Sequence, residues 1–340
     1  MLEGDKCKSC DTQSCLMMCQ YIDIGQEDAK VEIMKMVNGE NSRILSECIT
    51  CFACQEYCEL NARPFDRIVE LQEKYNSLNI PLAMIERGVN QYAPHSELRM
   101  KEIDPEKPVL DKCTFRNMSK NEMQGQMFDN LQYLSGTDFF CNLMFHHMAR
   151  DSVVKERAPL IINNFKRHGV KELICWHDEC YGFFVSYCPR NGIEVPFKAI
   201  HLFEYLYNYL KDHESEINKL NMKIAYLRNC SNRFIPETDQ WVDKICELIG
   251  VERVARKYDR ENALCCGGGM EAIPDKKKLR RETQKKNVQD MVDYGAEACV
   301  FNCPMCKNMI GSLAERNGLK LYLLSDLCRL ALGETLDYLK

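Results

Sequence analysis

The sequence predicts an α+β protein: an N-terminal helical segment threaded by two cysteine runs, then two repeated α/β units. Three observations carry this reading. Eight cysteines crowd into the first 58 residues, as Cys7, Cys10, Cys15 and Cys19 and then Cys48, Cys51, Cys54 and Cys58. Three pairs of landmarks share an offset of 126 residues: Gly169 with Gly295, Cys180 with Cys306, and Asn191-Gly192 with Asn317-Gly318. Around those landmarks short apolar runs alternate with helical stretches, the pattern of a parallel sheet covered by helices.

Composition narrows the class. A chain of 340 residues that is 45% hydrophobic can build two or three domains. A net charge of −5 argues against a nucleic-acid partner. No run of 18 apolar residues occurs, so no span of a membrane is expected. The opening MLEGDKCKSC has no apolar stretch of the kind a signal peptide needs. In a long chain without such a leader, 21 cysteines at short spacings read as reduced cytoplasmic thiolates that bind metal, not as a disulfide framework. Such centres are often oxygen-sensitive, which fits an anaerobic setting.

The segments follow in order. Residues 1–78 hold both cysteine runs. Cys48-x2-Cys51-x2-Cys54-x3-Cys58 is the bacterial ferredoxin run, in which three close cysteines hold one 4Fe–4S cubane and the fourth crosses to another. Applied here, that exchange groups Cys7, Cys10, Cys15 and Cys58 on one cubane and Cys48, Cys51, Cys54 and Cys19 on a second. The first run departs from the pattern. Four residues separate Cys10 from Cys15 where two are usual, so its loop must bulge, and Gln20 and Glu59 stand where proline is common. Two zinc ribbons are the competing reading, but they pair CxxC with CxxC across a longer gap. Glu27–Asn38 and Phe65–Tyr75 have the apolar spacing of helices, with Pro64 at the start of the second. Residues 79–109, punctuated by Pro81, Pro94, Pro105 and Pro108, read as a linker. Residues 110–222 and 223–340 are the two repeats. In the second, Lys223–Leu227 and Ala298–Phe301 read as strands, and Thr238–Ile249 and Lys278–Asp293 as helices.

The chemistry concentrates in the second repeat, at Leu264–Met270, LCCGGGM. Adjacent cysteines bridge each other only with strain, and glycine lets a backbone press against a large ligand. Thirty-four residues stand between Cys230 and this pair, and 36 between the pair and Cys303-Pro304-Met305-Cys306. Five thiolates exceed the four ligands of tetrahedral zinc. A multi-iron cluster suits them better than a zinc site with one spare cysteine.

This order and spacing resembles the cysteine-rich CCG domain of heterodisulfide reductase catalytic subunits and their relatives. The resemblance spans Cys7 to Cys306 and matches the fused ferredoxin–CCG layout of the D-type subunit. It implies that Cys230, Cys265, Cys266, Cys303 and Cys306 hold a non-cubane 4Fe–4S cluster that acts on a disulfide. The first repeat is degenerate. It offers Cys113, Cys141, His177 and Cys180 at corresponding places, which is too few thiolates for the same cluster, although they suit one zinc or iron ion. A purely structural role is the default there. His146, His147 and His201 are weaker candidates. Cys175, Cys188, Cys246, Cys299 and Cys328 lie in apolar periodic segments and belong to the core.

Two functions remain open. In the first, two cubanes conduct electrons to a non-cubane centre that reduces a disulfide. In the second, the chain is the electron-transfer subunit of a flavin dehydrogenase complex of the glycolate, lactate or glycerol-3-phosphate type, and the chemistry sits elsewhere. Either way the chain carries no dinucleotide-binding glycine motif and no CxxCH haem site, so its electrons come from a partner. The resemblance implies a flavin–iron–sulfur subunit or a haem b membrane subunit, which could hold the protein at the cytoplasmic face of a membrane.

Overall fold

The computed structural model describes residues 3–114 and 123–339. Positions 1–2, 115–122 and 340 belong to the segments 1–78, 110–222 and 223–340 and lie outside the described residues. Among the described residues the fold is mixed α/β, with two four-stranded parallel sheets and 15 α-helices.

The first sheet contains β1 (Val109–Asp111), β2 (Gln132–Leu134), β3 (Glu172–Cys175) and β4 (Lys198–His201), in the order β2-β1-β3-β4. The second contains β5 (Met222–Tyr226), β6 (Val251–Arg253), β7 (Ala298–Phe301) and β8 (Lys320–Leu323), in the order β6-β5-β7-β8. The two orders are the same, and every pairing is parallel. The landmarks that share one offset occupy the same turns. Gly169 and Gly295 end the helices that lead into β3 and β7, at φ +72° and +76°, a conformation that costs other residues a Cβ clash. Asn191-Gly192 and Asn317-Gly318 end the helices that follow those strands.

Both central strands are covered on two faces, which explains their continuous apolar character. All four residues of β7 are buried. Trp176, Phe203 and Leu206 beside the first sheet share one core with Ile224, Tyr226 and Val300 of the second. Each such fully buried Val, Leu or Phe side chain contributes about 1.5–3 kcal/mol. Cys175 and Cys188 lie in the core around β3, and Cys246, Cys299 and Cys328 in the shared core.

The N-terminal segment is helical. Gln26–Val37 buries Ala29, Ile33 and Met36, and Pro64–Tyr75 buries Phe65, Ile68, Val69 and Leu71. The stretch 79–109 is not only a linker, because Leu82–Gln91 forms a helix after Pro81. Only Ile85 of that helix is fully buried, so its apolar stripe is too narrow to stand out among the flanking prolines. The N-terminal segment is clamped to the second repeat. Arg228 and Arg233 both reach the Glu56 carboxylate, at 2.9 and 2.6 Å. Tyr57 donates its hydroxyl to the carbonyl of Glu261 at 2.7 Å. No helix among the described residues is long and apolar enough to cross a membrane.

Candidate metal centres

Two cysteine quartets line two pockets of the N-terminal segment. Cys7, Cys10, Cys15 and Cys58 surround one, walled by Ile33 and Met36. Cys19, Cys48, Cys51 and Cys54 surround the other, with Cys15 at its edge. Local backbone geometry makes these loops tight. Thr50 and Phe52 take left-handed conformations at φ +58° and +62°, which curls the chain from Cys48 to Cys54. The two extra residues between Cys10 and Cys15 are absorbed by Gln13, at φ +46°, which starts the helix Ser14–Met17 and sends its amide back to the Cys10 carbonyl. Backbone amides point at sulfur: Thr50 N–H donates to Cys48 Sγ at 3.3 Å and Ala62 N–H to Cys58 Sγ at 3.1 Å.

The donor chemistry fits iron–sulfur clusters. Burial, reinforced by neighbouring thiolates, pushes the Cys7 and Cys19 thiols up to about 11 and Cys15 to about 12. Crowded thiolates of this kind need positive charge between them. Among the described residues, no three His, Cys, Asp or Glu side chains converge closely enough to grip one metal ion. The quartets instead ring apolar pockets.

The five cysteines of the second repeat gather at the carboxyl ends of β5 and β7, the usual ligand edge of a parallel sheet. Cys230 opens a short helical turn after β5, and Cys303 caps the helix Pro304–Arg316 after β7, with Pro304 in its first turn. Cys266 stands beside Cys265 and Cys306, Cys303 stands beside Cys306, and Cys230 lies in the field of Cys266 and Cys303. The Cys303 thiol is drawn down by the neighbouring Cys306, against the effect of burial and with help from the charge of His177. The loop carrying Cys265 and Cys266 is held from two sides. Its Cys265 N–H donates to the Tyr21 hydroxyl at 2.8 Å, and Gln284 Nε2 donates to the Cys266 and Met309 carbonyls at 3.0 Å. Gly267 sits at φ +97°, and its amide donates to Cys265 Sγ at 3.3 Å. Gly269 is required by space: a Cβ there would lie 2.7 Å from His147 Nδ1. Cys51 of the second quartet lies in the field of Cys230 and Cys265, so the two sites adjoin.

The first repeat supplies the opposite wall. Asp178, fully buried, accepts from His201 Nε2 at 3.3 Å, Asn232 Nδ2 at 3.0 Å, Asn302 Nδ2 at 2.6 Å and Asn229 Nδ2 at 2.5 Å. Burial alone would raise this carboxyl, yet the hydrogen bond and charge of His201 hold it well below the usual carboxylate range. Asn229 precedes Cys230 and Asn302 precedes Cys303, so one carboxylate fixes both ligand-bearing loops. His177 turns to Cys303, and His147 Nε2 lies 3.6 Å from Cys230 Sγ. The sequence raised His147 beside His146 and His177 as a ligand of the first repeat, not as neighbours of the second repeat's cysteines, and Asp178, Tyr21 and Gln284 carried no local signal.

Of the first repeat's four candidate ligands, Cys113, Cys141 and Cys180 lie together, while His177 faces the other repeat. Beside the three thiols, burial pushes Asp111 up to about 7, although Cys113 N–H donates to its Oδ1 at 2.8 Å. Its Oδ2 is buried without a hydrogen-bond partner. This has a consequence for stability. An acid whose folded value exceeds its unfolded one binds more protons folded than unfolded. Stability therefore falls as pH rises from about 4 to 7 and levels off above that. Asp111→Asn, which mimics the neutral acid, is expected to gain on the parent chain by up to about 4 kcal/mol across that window. Urea unfolding at several pH values checks this, and parallel pH profiles for the two proteins would contradict it.

Comparison with known proteins assigns a family to part of the second repeat. Residues 224–311 match the model of the CCG cysteine-rich domain family, a segment that contains all five cysteines. No curated protein matches the chain. A crystal structure of a hypothetical protein from Helicobacter pylori is similar in fold, with a TM-score of 0.59 at 12% identity, over 91% of this chain and 65% of that one. The chain thus spans somewhat less than two thirds of that protein's length. The CCG cysteine-rich domain lies in a chain of 21 cysteines.

Proposed function

We propose that the chain is the iron–sulfur subunit of an anaerobic oxidoreductase complex. Cys7, Cys10, Cys15 and Cys58 hold one cubane, and Cys19, Cys48, Cys51 and Cys54 hold the second. Cys230, Cys265, Cys266, Cys303 and Cys306 hold a non-cubane 4Fe–4S cluster at which a disulfide is reduced. When bound, that cluster supplies electrons and an iron to which a substrate sulfur can bind. The overall change adds two electrons and two protons to R–S–S–R and releases two R–SH. The protein's own part is to bring the thiolates together, hold their loops rigid through Asp178, and set His147, His177 and Glu179 beside them. Electrons arrive from a partner, a flavin–iron–sulfur or haem b subunit; the sequence has no dinucleotide-binding glycine motif and no CxxCH haem site.

The observation that carries this reading is the contact between the two kinds of site. Cys51 adjoins Cys230 and Cys265, and Tyr21 bridges from the second quartet's pocket to the Cys265 backbone. A wire is useful only if it ends at a reaction centre, and this one ends beside five thiolates. Low-temperature EPR after anaerobic oxidation with ferricyanide in the presence of small thiols tests the proposal. A new paramagnetic state broadened by 33S-labelled thiol is expected. No change with any thiol would contradict disulfide chemistry and leave the chain as the electron relay of a flavin dehydrogenase complex.

A further inference from the structure

The first repeat has too few thiolates for a five-cysteine centre, yet it contributes a polar wall to the centre of its neighbour. His177 is the N-cap of the helix Asp178–Gly182, and its Nδ1 accepts the Glu179 backbone amide at 3.3 Å. A neutral imidazole whose Nδ1 is an acceptor carries its proton on Nε2. The tautomer is thus set by the backbone, and Nε2–H is the donor left on a ring that lies in the field of the Cys303 thiolate. His147 meets the other loop, its Nε2 3.6 Å from Cys230 Sγ. Its ring is fixed on three sides. Thr50 Oγ1 lies 2.9 Å from Nδ1, Phe52 stacks at 4.7 Å, and the missing side chain of Gly269 leaves the space it needs. Glu179 stands between the two rings, 3.9 Å from His147 Nε2 and 3.6 Å from His177 Nδ1. Both histidines are buried or nearly so, with side chains 3% and 14% exposed, so neither is placed for bulk solvent.

We infer that the first repeat is kept as the polar half of the second repeat's centre, with His177 donating to Cys303 to set the centre's reduction potential and His147 packed against Cys230. This rests on the five-cysteine reading above. The physical reason is general. A cluster gains negative charge on reduction, and donors aimed at its sulfurs stabilise the charged form and raise its potential. Thiolates in a buried site have little water to do this, so the protein must. The wall also ties the centre to its wire, because Thr50, the residue facing His147, lies between Cys48 and Cys51 of the second quartet.

His177 and His147 are positioning residues in this account, and the test reads a potential. Anaerobic redox titration of the intact holoprotein, followed by EPR, compares the parent chain with His177→Leu and His177→Gln. Leucine removes the donor, and the reduced-to-oxidised ratio of the third centre at fixed potential is expected to fall about tenfold, or 59 mV for one electron. Glutamine retains an N–H and is expected to stay within threefold of the parent. An unchanged midpoint in His177→Leu, with iron content retained, overturns the inference. If the leucine variant loses its cluster, the parent protein decides. Pulsed ENDOR in H2O and D2O, with 15N-histidine, should find an exchangeable proton and a histidine nitrogen coupled to the third centre. A third centre without those couplings defeats this inference alone, whereas no third centre at all defeats the functional reading beneath it.

Discussion

Asp178→Asn is expected to cost about 3–5 kcal/mol of folding stability and to empty the five-cysteine centre while both N-terminal quartets stay loaded. The carboxylate is a pure acceptor for four converging donors. Asparagine offers one oxygen and turns an N–H toward donors, so at least two buried groups lose their partners, at about 1–3 kcal/mol each. The loss is directional. Asn229 and Asn302 adjoin Cys230 and Cys303, so releasing them moves two of the five sulfurs from opposite sides of the site. The N-terminal quartets have no bond to Asp178. Iron analysis with chemical denaturation of the same sample checks both halves, and a variant that keeps its full iron and its stability would show that Asp178 is not the clamp described.

Cys266→Ser is expected to remove about four irons of twelve, taking four per cluster, and to abolish one EPR-active centre while leaving the other two. Cys266 is the sulfur on which the site converges, beside both Cys265 and Cys306. Serine keeps the size but loses the soft thiolate that iron prefers. Cys246→Ala is the control. That cysteine is equally buried but belongs to the shared core, so the substitution should leave a small cavity and all the iron. Equal iron loss in both variants would point to general instability, and no loss in Cys266→Ser would remove Cys266 from the ligand set.

Much of this was legible in the chain. The 126-residue offset placed equivalent turns because glycine and Asn-Gly mark helix ends by backbone geometry alone. Helices such as Asp239–Ile249 announced themselves by apolar spacing and by Gly250 at their end. Cysteine spacing suggested which thiols share a pocket, because three of each four are local. What spacing could not convey was every contact that joins distant segments. Asp178 meets Asn302, 124 residues away, and His147 meets Thr50, 97 residues away. Nothing local distinguishes these residues from ordinary polar ones. The helix Leu82–Gln91 was hidden for a different reason, since prolines surround an apolar stripe that buries only Ile85. His177 was a reasonable ligand candidate by alignment of the repeats, but a helix cap turns it toward Cys303.

The central claim is that thirteen of the 21 cysteines hold three separate clusters. Mössbauer spectroscopy with iron and sulfide analysis of anaerobically purified, 57Fe-enriched protein tests it most directly. The account predicts about twelve irons and as much sulfide per chain, in two cubane-type signals and one of different character. About eight irons in two cubane signals, or stoichiometric zinc in place of the third set, would contradict it.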